Sequence, residues 1–160
     1  MQKHTISISV LNEAGVLSRI VGLFSGRGYN IESLTVAPSL DKAYSKVTIV
    51  TVGDRAVIEQ IGKQLNRLIP VIKVMELPQS DAIEFEMAII KVQVKDEERA
   101  NLLNSIATVT DAKIIDTADK AYTVRCIGDE KQINTLVDIL KPFGIKDMTR
   151  SGKVAMSKTQ

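Results

Sequence analysis

The stretch Asn12-Glu-Ala-Gly-Val-Leu17, with the turn Gly28-Tyr-Asn-Ile31 that closes the helix it opens, holds the residues best placed to do chemistry. That chemistry is recognition of a small molecule. Backbone N–H groups without partners gather where a strand ends and a helix begins. The helix dipole makes such a place attractive to an anion, including the carboxylate of an amino acid. Asn12 can accept from those N–H groups as a cap, or turn outward to a ligand, and Gly15 has no side chain to block a close approach. A purely structural reading uses the same residues: asparagine as a cap, glycine as turn chemistry.

The flanking elements must position this stretch. Thr5 to Val10 alternate Thr-Ile-Ser-Ile-Ser-Val, the period-2 pattern of a strand with one buried face. Val16, Leu17, Ile20, Val21 and Phe24 fall at helical spacing and predict a helix over residues 15–27, which Gly28 ends in the left-handed conformation. Ile31 to Val36 reads as a second strand, Pro38 to Lys42 as a loop, and Tyr44 to Val52 as a third strand rich in β-branched residues. Asp54 is a natural cap for a second helix with Ile58, Ile61, Leu65 and Leu68 on one stripe. Pro70 stops that helix, and Val71 to Leu77 supplies a fourth strand. The order βαββαβ predicts an α+β fold, a four-stranded antiparallel sheet with two helices on one face, the ferredoxin-like plan.

The pattern then repeats. Phe85 to Val94 reads as a strand, and Glu97 to Val109 as a helix with Leu102, Leu103 and Ile106 inward. Lys113 to Thr117 is a further strand, followed by a turn at Asp119-Lys120 and a strand from Tyr122 to Ile127. Gly53, Asp54, Ile58, Ile61 and Leu65 reappear 75 positions later as Gly128, Asp129, Ile133, Leu136 and Leu140. Two tandem ferredoxin-like domains follow, residues 1–78 and 85–160, joined by a linker over 79–84. The first turn of the second copy is Lys95-Asp-Glu-Glu-Arg-Ala100, without Asn or Gly and crowded with carboxylates, so the expected pocket belongs to the first copy. A unit of this size buries only about 60% of its unfolded surface, so each half should lean on the other or on a second chain.

Composition removes several functions. A net charge of +2 over 160 residues gives no electrostatic footprint for nucleic acid or a membrane surface. No apolar run approaches the roughly 20 residues that span a bilayer, and Met-Gln-Lys-His lacks the apolar core of a signal peptide, so the expected location is cytoplasmic. One cysteine, Cys126, and one histidine, His4, cannot make an ordinary zinc site. Cys126 lies in a strand pattern, where it packs as a small hydrophobe.

Asn12 through Arg19, then Gly22-Leu-Phe-Ser25, Arg27 through Pro38, and the closing Arg150-Ser-Gly-Lys-Val-Ala155 resemble the small regulatory subunit of acetolactate synthase (acetohydroxyacid synthase). The first half resembles its amino-acid-sensing ACT domain, densely from Ile6 to Pro38. The second half resembles its C-terminal domain mainly in pattern. The resemblance implies a chain with no catalysis and no cofactor of its own. Its implied partner is a large catalytic subunit that uses thiamine diphosphate, with Mg and FAD. The chain would activate that subunit and confer feedback inhibition by valine in branched-chain amino acid biosynthesis. It also implies a homodimer through the ACT domain with valine at the interface, touched by Asn12, Gly15 and Asn30. Val16, Leu17 and Ile31 adjoin these positions as side-chain lining, with Ser18 and Val36 as weaker candidates.

A free amino acid needs donors for its carboxylate, acceptors for its ammonium and a small apolar pocket. Helix-start N–H groups, Asn carbonyls and Val, Leu and Ile supply these. Three other readings compete. An RNA-recognition domain shares the strand order but needs aromatics on strands one and three, where only Tyr44 occurs. An acylphosphatase-like enzyme also shares it, with Arg19 near the first loop, but has a loop richer in glycine. A free-standing two-ACT sensor acting on another enzyme or on transcription is the third.

Overall fold

A computed structural model of the chain describes residues 2–118 and 121–159. By contact they form two units: the chain up to Glu84 together with the segment from Gly152 on, and Phe85–Ser151. The first unit runs β1 (Gln2–Leu11), α1 (Val16–Ser25), β2 (Ile31–Pro38), β3 (Tyr44–Gly53), α2 (Arg55–Leu65) and β4 (Val71–Leu77). Its strands pair antiparallel in the order β2-β3-β1-β4. Ile6 lies opposite Ile49 and Ile8 opposite Val47, and cross-strand partners share a face. All four are at most 1% exposed, packed under Ile20 and Phe24 of α1 and Ile61 and Leu65 of α2.

The expected punctuation is present. The Asp54 carboxylate accepts from the Val57 N–H at 2.9 Å and so caps α2. Gly28 adopts φ +69° after α1. Its N–H donates to the Ser25 carbonyl at 3.2 Å and the Tyr29 N–H to the Phe24 carbonyl at 3.0 Å, which is a Schellman closure. The Phe24 and Tyr29 rings meet edge to face, the apolar contact that accompanies it.

The second unit repeats the plan: β5 (Ala82–Gln93), α3 (Arg99–Ala107), β6 (Lys113–Ala118), β7 (Ala121–Gly128), α4 (Glu130–Leu140) and β8 (Ile145–Arg150), in the order β6-β7-β5-β8. Asp129 and Gln132 cap α4 reciprocally, each side chain accepting from the other's N–H, at 2.8 and 2.9 Å. Two expectations need correction. Leu103 is 42% exposed, because Leu102 beside it takes the inward direction on α3 and neighbours on a helix point about 100° apart. Residues 82–84 are strand, so the connection between β4 and β5 shortens to Pro78–Asp81. The turn expected at Asp119-Lys120 lies outside the described residues. Among those described, no helix is long and apolar enough to cross a membrane.

Two further features depart from the pattern. The alternation in β1 led us to expect one buried face, yet Thr5 and Ser7 on the other face are 6% and 3% exposed. The chain after Arg150 accounts for this. It crosses that helix-free face, forms β9 (Val154–Ser157), which contacts β1 and β4 and pairs with β5, and buries Ala155. Contacts therefore group 152–159 with the first unit, where the sequence division placed them in the second.

Cys126 is wholly buried on β7. Burial first, then the Asp111 carboxylate, pushes its thiol above the ordinary range, with Arg125 pulling weakly the other way. A raised folded-state value favours the protonated thiol. Its stabilising contribution is complete below the unfolded-state value and is lost as pH rises through the folded one. Alkylation at pH 8 is expected to be at least about a hundredfold slower in the native chain than in the unfolded chain. Equal rates would contradict this placement.

Candidate functional site

The start of α1 is built differently from the starts of α2 and α4. Gly15 takes φ +83° and ψ −7°, left-handed geometry that a side chain resists. A Cβ there would meet nothing within 4 Å, so the backbone and not crowding requires glycine. Among the described residues no side chain caps α1, and its first turn carries no acidic group. The Val16 N–H reaches only the Glu13 carbonyl, at 3.4 Å. Positive dipole and open donors therefore face outward beside a glycine.

Asn12 is not the cap. Its Nδ2 donates to the Lys42 carbonyl at 2.9 Å and its backbone N–H to the Ala43 carbonyl at 2.8 Å, which fastens the β2–β3 loop to the end of β1. Its Oδ1 has no protein partner among the described residues and is exposed, an acceptor of the kind an ammonium needs. Val16 is 6% exposed and belongs to the core, whereas Leu17 is 39% exposed. Ser18 is exposed, and Val36 stands 42% exposed on edge strand β2. Asn30 is exposed, and Ile31 is half-buried against the first core.

These residues fall into two groups. Leu11 pairs with Tyr44 and Ile31 with Thr51, so Asn12, Gly15, Val16 and Leu17 lie at one end of the sheet, and Asn30 and Ile31 at the other. The intervening stretch of β3 is about 23 Å long at about 3.3 Å per residue. One chain does not bring both groups around one amino acid. Sequence reasoning also missed Thr51, whose hydroxyl donates to the Asn30 carbonyl at 2.6 Å and fixes that turn. A hydroxyl at an inward position, in line with Val47 and Ile49, was the available signal.

The corresponding place in the second unit is an open cleft of about 700 Å³ beside Val94, Phe143 and Gly144. Lys95, Glu97 and Lys146 line it, so the described charges there are of both signs. Arg150 pairs with buried Glu86, and its Nη1 donates to Asn134 Oδ1 at 2.9 Å. Among the described residues no cluster of His, Cys, Asp or Glu is placed to hold a metal ion.

Known proteins match this chain along its whole length. Residues 6–73 match the family described as the AHAS small subunit-like ACT domain, and residues 85–159 the family described as the small subunit of acetolactate synthase. The acetolactate synthase small subunit of Aquifex aeolicus is 44% identical over 99% of this chain and 82% of its own length. The probable small subunit of Archaeoglobus fulgidus is 42% identical over 96% of each chain. The crystal structure of the small subunit from Thermotoga maritima superposes with a TM-score of 0.91 at 31% identity, covering 100% of this chain and 99% of that one. Likeness of this extent in sequence, together with the doubled βαββαβ fold, means that the chain belongs to the acetolactate synthase small subunit family.

Proposed function

We propose that this chain is the regulatory subunit of an acetolactate synthase. It raises the activity of a separate large catalytic subunit and senses valine at sites formed between two copies of its first unit. The uncapped start of α1 carries the reading: open N–H donors and left-handed Gly15 receive a carboxylate, and Asn12 Oδ1 accepts from an ammonium. Leu17 and Ile31 offer the apolar contact that a branched side chain needs.

The 23 Å separation gives the reason for two chains. Strand β2 is a sheet edge, and α1 beside it exposes Leu17 and Val21. A twofold pairing along that edge runs the partner's strand antiparallel, so the Asn12 end of one copy meets the Asn30 end of the other, twice per dimer. Burial of a valine side chain contributes about 1.5–3 kcal/mol and each charged hydrogen bond about 1.5–3, before association entropy is subtracted. Micromolar to sub-millimolar affinity suits a feedback sensor. Valine inhibits by fitting one arrangement of the dimer better than another, since equal affinity would shift nothing. Calorimetric titration with valine is the test: one saturable site per chain is expected. No heat at millimolar valine would refute the reading.

A further inference from the structure

The motif Arg150-Ser-Gly-Lys-Val-Ala155 was singled out by resemblance alone, and the effector site makes no use of it. Within the first unit its second half lies on the face of the sheet that carries no helix. Two cross-strand neighbours on that face, Thr35 of β2 opposite Thr48 of β3, are followed across the sheet by Ser7 of β1 opposite Thr48 and Met75. Small hydroxyl side chains offer little apolar surface, so whatever covers them must be held by specific contacts.

Those contacts are present. Lys153 Nζ pairs with Glu84 Oε2 at 2.9 Å, both side chains under a fifth exposed, and Glu84 Oε1 accepts from the Thr5 hydroxyl at 2.7 Å. Further along, Ser157 Oγ donates to Asp81 Oδ2 at 2.6 Å and the Lys158 N–H to the Asp81 carbonyl at 2.8 Å. At the near end Gly152 lies directly against β2. A Cβ on Gly152 would press into Thr35 Oγ1 and approach the Leu34 carbonyl carbon and oxygen at 3.1 Å. The φ of Gly152 is not left-handed, so closeness and not backbone conformation demands glycine. The packing is tight enough that Ser7 Oγ and Thr35 Oγ1 are buried with no hydrogen-bond partner among the described residues.

We propose that the segment Gly152–Ser157 is a clamp on edge strand β2, and that Gly152 is a positioning residue for the effector site. Among the described residues strand β2 is paired on one side only, by β3, and it begins at Ile31, directly after Asn30. An edge strand held from one side frays readily. The clamp supplies a second restraint at Leu34 and Thr35, which fixes where Asn30 and Ile31 stand without touching the ligand. The valine arm of this assignment rests on the effector reading above, whereas the restraint on β2 does not.

Hydrogen exchange of the full chain, with valine titration of the same samples, tests it. Gly152→Ala is expected to speed exchange of the β2 amides about tenfold while those of α2 and β4 stay unchanged. The valine dissociation constant should rise about tenfold, with the unfolding midpoint little moved. Adding Thr35→Ala removes the closest clash, though not the Leu34 backbone contacts at 3.1 Å, and should restore both part of the way toward wild type, a rescue that a general loss of stability would not give. Glu84→Gln adds no bulk, weakens the Lys153 anchor, and should move both readouts the same way by about threefold, which keeps the test open if Gly152→Ala fails to fold. Unchanged β2 exchange in Glu84→Gln and in any folded Gly152→Ala would overturn the clamp. If the wild-type chain ignores valine, the effector reading falls, and β2 exchange still decides whether the clamp exists.

Discussion

Gly15→Asp is expected to abolish the response to valine while leaving activation of the catalytic partner largely intact. The substitution places a carboxylate where the ligand's carboxylate meets the open N–H groups of α1. Two like charges about 4 Å apart repel by about 4 kcal/mol at an effective dielectric near 20, and exposure to salt reduces this to about 2. Loss of a charged hydrogen bond adds about 1.5–3 kcal/mol, so affinity falls by about a thousandfold. Backbone strain contributes separately, because Gly15 is left-handed at φ +83° and any side chain there costs about 1 kcal/mol. Gly15→Asn isolates that part: it carries the same strain and similar bulk without the charge, and a Cβ meets no neighbour. Calorimetry should find Gly15→Asn weakened and Gly15→Asp silent. Equal loss in both would assign the effect to the turn and not to an anion site.

Arg150→Ala is expected to destabilise the second unit by about 3 kcal/mol, because it strands a charge. Glu86 sits on β5 opposite Gly128, only 7% exposed, and Arg150 Nε donates to its Oε2 while Nη1 holds Asn134. Lysine cannot reproduce this two-way fork, so Arg150→Lys should fall between wild type and alanine. Glu86→Gln added to Arg150→Ala removes the stranded charge and should recover most of the loss. Urea unfolding followed through exchange of the β5 and β8 amides checks the order of these variants. A double variant no more stable than Arg150→Ala would show that the guanidinium acts through packing alone.

Much of the fold was legible because its signals are local. The Thr5 to Val10 alternation, the Asp54 and Asp129 caps at matching positions and the Gly28 closure each need only a few neighbouring residues, and each has the expected form. What the sequence hid is non-local. The covering of Thr5 and Ser7 depends on a segment some 150 residues away that is too short to give a periodicity to read. Leu103 was misplaced because two adjacent leucines satisfy the same pattern and packing chooses between them. The candidate site was legible in residue type but not in geometry. Asn12 and Asn30 flank one helix and look adjacent along the chain, yet a helix carries its two ends apart, and the register of β3 puts them at opposite ends of the sheet. Thr51 and the Lys42 carbonyl, which hold the two asparagines, belong to other strands and loops and left no local mark.

That separation leads to a measurement that distinguishes a shared site from one within a single chain. Gly15→Asp damages the Asn12 half and Asn30→Ala the other, and each variant alone should lose high-affinity valine binding. Co-expressed, they pair at random: half of the dimers are mixed, and each mixed dimer holds one site with both halves intact, so titration should recover about a quarter of the wild-type sites at wild-type affinity. If the co-expressed variants recover no high-affinity sites, every site carries a defect of its own chain, and the account of a sensor assembled from two copies is wrong.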